Sequence, residues 1–150
     1  MHSIPKHPQL NPQMNAERAA QRLREHGVAP TEQRVEIARI LFSCAMHVSA
    51  DQILARVNAD SARVSKATVY NTLRLFREKG LLREVIVDPN RIFYDPNMAP
   101  HHHFYDVDTG VLTDIAAERI HISGVPRLAA GVVAEGVEIV IRTRSIIPAN

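Results

Sequence analysis

Apolar residues recur at helical spacing through the first half of the chain and shift to a strand-like alternation in the second. Asn15 is placed to cap a helix over residues 16–25, which Gly27 stops. Thr31 opens a second helix, with Val35, Ala38, Ile40, Leu41 and Phe42 as its buried stripe, Arg34 and Arg39 outside, and Cys44 as a small core residue at its apolar end. Ser49-Ala50-Asp51-Gln52 has the spacing of a capping box and predicts a third helix from Ala50 through Val57. Ser65 caps a fourth over residues 66–79, ended by Gly80, with Val69, Leu73 and Phe76 on one face. Beyond it, Leu82-Arg83-Glu84-Val85-Ile86-Val87 alternates imperfectly, Asp88-Pro89-Asn90 turns, and Arg91-Ile92-Phe93-Tyr94 returns.

Helices followed by a β-hairpin are the order of a winged helix-turn-helix. The predicted fold is therefore α+β: a winged-helix DNA-binding domain over 15–92, then a small α/β domain over 93–150. Residues 1–14, with Pro5, Pro8 and Pro12 and no apolar period, are expected to form a disordered arm. In the second domain, Phe104–Val107 and Val111–Ile115 should form a hairpin across Thr109-Gly110. A short helical segment, Arg127-Leu128-Ala129-Ala130, is expected after Pro126, and an alternating strand over 137–142.

Composition narrows the function. At 45% hydrophobic, a chain of 150 residues has enough apolar side chains for real cores. No run approaches the roughly 20 apolar residues of a membrane span, and the first residues lack the apolar centre of a signal peptide, so a cytoplasmic location with no membrane partner is expected. Net charge is only +2 but unevenly spread: residues 1–94 carry 14 Lys/Arg against 9 Asp/Glu, and residues 95–150 carry 4 against 7. The first half suits phosphate and the second does not. One cysteine excludes both an internal disulfide and a structural four-cysteine zinc site. The chain has no His-Glu-x-x-His helix, no nucleophile elbow and no phosphate-cradling glycine loop, which argues against an enzyme.

Two clusters carry candidate chemistry. On the fourth helix, Lys66, Tyr70, Asn71, Arg74 and Arg77 point away from the apolar face. They combine cations for phosphates, an amide for bidentate pairing with adenine, and an aromatic ring for thymine methyls. Thr68 on the same helix, Arg22 and Arg34 on the earlier ones, and Arg91 on the hairpin complete the expected DNA contacts. The second cluster is His101-His102-His103, three of the eight histidines in consecutive positions. On an extended strand His101 and His103 share one face and His102 takes the other. Imidazole is the commonest protein ligand for transition metals and a frequent axial ligand of haem iron.

Five motifs in register carry a resemblance: Gly27 with Thr31-Glu32-Gln33-Arg34, His47-Val48-Ser49-Ala50-Asp51, Ala67-Thr68-Val69-Tyr70-Asn71-Thr72-Leu73, Gly80-Leu81, and His101-His102-His103. Over about residues 20–145 the chain resembles the ferric uptake regulator (Fur) family of metal-responsive repressors. Because both cysteine pairs usual in that family are missing, it most resembles the iron response regulator branch of rhizobia and related alphaproteobacteria, whose members respond to haem. A Cys-Pro haem motif is absent, since Ala45 follows Cys44. The resemblance implies a cytoplasmic, iron-responsive transcriptional regulator of iron and haem metabolism. It would bind double-stranded operator DNA as a homodimer or higher homo-oligomer, through a second domain that dimerises. Regulatory metal would be held between the domains by His47, Asp95 and His103, with His102, Asp114 and His121 at or near a second site and Tyr105 where another histidine ligand is usual. The expected cofactors are haem, on His101, His102 and His103, and a divalent metal, Mn²⁺ or Fe²⁺ with Zn²⁺ also admitted by the donor set. The alternative is a regulator of the same family that senses Mn²⁺, Zn²⁺ or peroxide directly, without haem.

Overall fold

The computed structural model describes residues 13–43 and 47–147. Most of the expected N-terminal arm, and Cys44, lie outside the described residues. Two compact units divide the chain, Met1–Met98 and Ala99–Asn150.

In the first unit, α1 (Ala16–Glu25), α2 (Glu32–Ser43), α3 (Ala50–Val57) and α4 (Lys66–Glu78) precede an antiparallel hairpin of β1 (Arg83–Asp88) and β2 (Arg91–Asp95). The caps form as the sequence predicts. Asn15 Oδ1 accepts the Arg18 amide, and the Ser65 hydroxyl accepts that of Thr68. At α3 the Ser49 hydroxyl accepts the Gln52 amide while the Gln52 side chain accepts the Ser49 amide, a full capping box. Gly27 and Gly80, one residue past the C-caps, have φ of 73° and 74°, which favours glycine at both. The helices close over one apolar core that includes Leu23, Ile37, Leu41, Ile53, Leu73 and Phe76.

The first unit runs through Met98, and β2 continues through Asp95 in register with β1: Arg83 pairs with Asp95. An isolated antiparallel bridge joins Val48 to Tyr94, with the Tyr94 amide donating to the Val48 carbonyl at 2.9 Å. The hairpin is thereby tied to the residues that lead into α3.

The second unit is a three-stranded sheet in the order β4-β3-β5, built from β3 (His101–Asp106), β4 (Leu112–Ala116) and β5 (Val140–Thr143). β3 and β4 form the expected hairpin, but β3 begins at His101, so all three histidines are strand residues. β3 and β5 run parallel. The helical turn expected at Arg127–Ala130 is absent, and residues 121–139 are irregular apart from a turn near Ala130. Four helix-forming residues between Pro126 and Gly131 are too few to meet the cost of nucleation, and Gly131 adopts a φ of 80°.

Candidate metal centre and nucleic-acid interface

In the second unit the register of the sheet assembles a donor set. His103 stands directly opposite Asp114 across the β3–β4 ladder, and His101, opposite Ala116, is its diagonal neighbour on the same face. Asp114 Oδ1 accordingly lies 3.5 Å from His103 Nε2 and 3.4 Å from His101 Nε2. The two imidazoles meet edge to face with centroids 4.6 Å apart. Both histidines are buried, while the Asp114 side chain is 45% exposed, leaving one side of the set open to solvent.

Hydrogen bonding orients the His101 ring. His101 Nδ1 lies 2.6 Å from the Ala99 carbonyl. A carbonyl only accepts, so the proton is on Nδ1 and Nε2 keeps its lone pair toward Asp114. His103 Nδ1 faces the Glu138 carboxylate at 3.3 Å, another group that only accepts. Both rings turn Nε2 toward the Asp114 carboxylate, and the ligand atoms of His101, His103 and Asp114 lie within 4.8 Å of one another. Two imidazoles and a carboxylate without thiolate suit Mn²⁺, Fe²⁺ or Zn²⁺.

His102 points the other way, as alternation requires. Its Nδ1 accepts the Ile139 amide at 3.1 Å, which places the proton on Nε2. To ligate an ion it would have to change tautomer or surrender that bond. His102 and His121 both stand outside the converging set, and His121 is exposed beyond the short 3₁₀ turn at Ala117–Arg119. Tyr105, two residues beyond His103 on the same strand face, is buried.

The first unit holds a second pair. Extending the Val48–Tyr94 bridge by one residue puts His47 opposite Asp95, and His47 Nδ1 lies 3.5 Å from Asp95 Oδ1 with both side chains buried. Asp95 is also held by the Asn97 amide, which donates to Oδ1 at 2.9 Å.

On α4 the buried face is Val69, Thr72, Leu73 and Phe76, while Lys66, Tyr70, Asn71, Arg74 and Arg77 are exposed. Lys66 Nζ sits 5.8 Å over the Tyr70 ring, and the Arg74 guanidinium donates to Asn71 Oδ1. Arg77 is paired with Glu84 on β1 at 3.1 Å, and the Thr68 hydroxyl is 2.9 Å from that of Ser65, so both also serve the local fold. Arg34 donates to the Ala29 carbonyl and lines a cleft of about 270 Å³ with Thr31, Gln33, Thr68 and Asn71. Arg22 lies 4.1 Å over the Phe42 ring, and burial lowers its pKa. Arg91 is exposed on β2.

The family model described as "Ferric uptake regulator family" matches residues 25–139. The chain belongs to the ferric uptake regulator family. A curated relative within its reach, the peroxide-responsive repressor PerR of Staphylococcus aureus, is 35% identical over 92 residues, 61% of this chain. The match spans 62% of that repressor's length. Among solved structures, the ferric uptake regulator of Pseudomonas aeruginosa with manganese aligns over 86% of this chain and 98% of its own, at 23% identity and a TM-score of 0.64. The Vibrio cholerae ferric uptake regulator covers 84% of this chain and 98% of its own, at 17% identity and a TM-score of 0.65. At these identities the structures establish the Fur fold, a winged-helix unit followed by a small α/β unit. Among the described residues no helix is long and apolar enough to cross a membrane.

Of the Fur-type ligands expected from the sequence, His103 and Asp114 converge in one unit, and His47 and Asp95 pair in the other. His101, assigned from sequence only to haem, belongs with His103. The signal for it was available: same-face alternation together with the diagonal neighbour on β4. Glu138 could not be found that way, because its approach depends on a parallel pairing distant in sequence.

Proposed function

We propose that the protein is a DNA-binding transcriptional regulator whose operator affinity is set by a divalent metal ion. The convergence of the His101 and His103 Nε2 atoms on Asp114, with His101 Nδ1 bonded to the Ala99 carbonyl, carries the reading. Family resemblance gives His47 and Asp95, paired in the first unit, a ligand role as well. An ion held by these donors would set operator affinity through its differential affinity for the conformations of a homodimer, and so whether the recognition helices meet successive major grooves. The manganese named for the P. aeruginosa relative and the peroxide response of the S. aureus one favour direct sensing of Mn²⁺ or Fe²⁺.

Haem sensing, and membership of the iron response regulator branch, is the finer reading carried by the missing cysteine pairs. The donor set favours a bare ion over it. A haem iron offers its two axial positions on opposite faces of the porphyrin, whereas His101, His103 and Asp114 converge on one point.

On this reading α4 enters the major groove. Replacing Asn71 relaxes sequence preference by about 1–3 kcal/mol at one base pair, and Arg74→Ala lowers the salt slope of binding by about 1. The deciding experiment titrates purified protein with Mn²⁺ and, separately, with haem. Mobility shift on operator-like DNA then compares wild type with His101→Ala, His103→Ala and His47→Ala. DNA affinity that follows Mn²⁺ and weakens in all three variants supports the proposal. A stoichiometric Soret shift that controls DNA binding while Mn²⁺ does nothing would replace it with the haem sensor.

A further inference from the structure

We infer that Glu138 is a positioning residue for the metal, acting through His103; this rests on the reading of His103 as a ligand. In the parallel pairing of β3 with β5, His103 is opposite Val140, so Glu138, two residues earlier, approaches the same face of the sheet. Its Oε1 lies 3.3 Å from His103 Nδ1, on the far side of the ring from Asp114. His103 is fully buried, while the Glu138 side chain is 37% exposed.

The backbone holds this approach in place. The His103 amide donates to the Ile139 carbonyl at 3.0 Å, and the Ile139 amide donates to His102 Nδ1 at 3.1 Å. Residue 139 is thus pinned to two consecutive histidines, and Glu138 is carried to the third atom of the arrangement, His103 Nδ1.

A carboxylate behind a ligating imidazole has three effects. It selects the tautomer whose Nε2 lone pair faces the ion, it fixes the ring plane, and it raises the basicity of the ligand. A metal at Nε2 in turn polarises the ring and strengthens the Nδ1–H donor toward Glu138. His101 obtains its orientation differently, from the Ala99 carbonyl, which is neutral. Glu138 is therefore the charged support of the pair, and it links the donor set to the strand farthest from it in sequence.

The test measures Mn²⁺ affinity of the full chain by calorimetry for wild type, Glu138→Gln, Glu138→Ala and Asp114→Ala, with Glu135→Ala as a control in the same irregular segment. Long-range ¹H–¹⁵N spectra of the metal-free proteins report the His103 tautomer. Glu138→Ala should weaken Mn²⁺ binding about 10–100-fold and shift His103 away from the Nδ1–H form. Glu138→Gln, whose amide oxygen also accepts but carries no charge, should restore the tautomer and only part of the affinity, and Glu135→Ala should behave as wild type. If Asp114→Ala weakens binding while Glu138→Ala binds Mn²⁺ like wild type with an unchanged tautomer, the role of Glu138 is overturned and the metal site stands. If Asp114→Ala and wild type bind Mn²⁺ equally, the site itself is overturned, and the role of Glu138 toward the ion falls with it.

Discussion

The two units bury different kinds of side chain. The first closes four helices over an apolar core of Leu23, Ile37, Leu41, Ile53, Leu73 and Phe76, with His47, Thr72 and Asp95 as its buried polar residues among those described. Among its described residues, the second buries His101, His102 and His103 beside Tyr105, Leu112 and Ile115, and it leaves Val125, Val133, Ile146 and Ile147 exposed. A buried apolar side chain stabilises a fold unconditionally, at about 25 cal/mol per Å² removed from water. A buried imidazole stabilises only when its nitrogens are satisfied, here by carboxylates, a carbonyl, an amide or an ion. The comparison teaches that the first unit rests mainly on apolar packing, whereas the second depends on how its buried imidazoles are satisfied.

The sharpest way to break that contrast is to damage the apolar core. Phe76→Ala should cost about 3–5 kcal/mol and lower the midpoint of chemical denaturation followed by helical circular dichroism. A loss below 1 kcal/mol would mean that the first unit, too, is held by something other than packing.

Metal should act on the other side of the comparison. Mn²⁺ at a hundredfold excess over its dissociation constant should add about 2.7 kcal/mol, seen in hydrogen exchange as slower amides in β3 and β4. Chelation should reverse the effect there while leaving the amides of α4 nearly unchanged. Equal protection of α4 and β3 would show that the two units respond as one body.

A smaller effect is expected from the capping box. Ser49→Ala removes the acceptor for the Gln52 amide and should destabilise the first unit by about 1 kcal/mol. Its denaturation midpoint should fall while the affinity of β3 for metal stays the same.

The smallest prediction concerns pH. The Thr109 and Asp108 amides donate to the Asp106 carboxylate at the end of β3 and lower its pKa from the ordinary 3.8. The hairpin gains from the ionised form above that ordinary value and loses the gain as pH falls through the lowered one. The Asp106 carboxyl chemical shift should titrate below the ordinary 3.8 in the folded protein, and Asp106→Asn should remove the acid dependence of the Thr109 amide signal.

Much of the first unit was legible in the sequence, because its signals are local. Asn15, Ser49 and Ser65 each cap the helix that their spacing predicts, and Gly27 and Gly80 stand just beyond helix ends. The second unit was legible only where a tight turn sets the pairing. Thr109-Gly110 fixes the β3–β4 hairpin, but nothing near His103 in sequence announces Val140 as its parallel partner. The separation of His102 from its neighbours followed from alternation alone. Its assignment as a ligand came from resemblance, whereas its ring is engaged by a backbone amide of residue 139. Arg22, expected as a phosphate contact, also lies over Phe42, a neighbour that only the tertiary packing reveals.

The bridge between Val48 and Tyr94 has a mechanical consequence. Only Val48 and Ser49 separate His47 from the first residue of α3, and the first is clamped by a backbone hydrogen bond while the second is locked in the capping box. A pull on the imidazole meets no slack: it is delivered to a helix end as displacement, over the length of two residues.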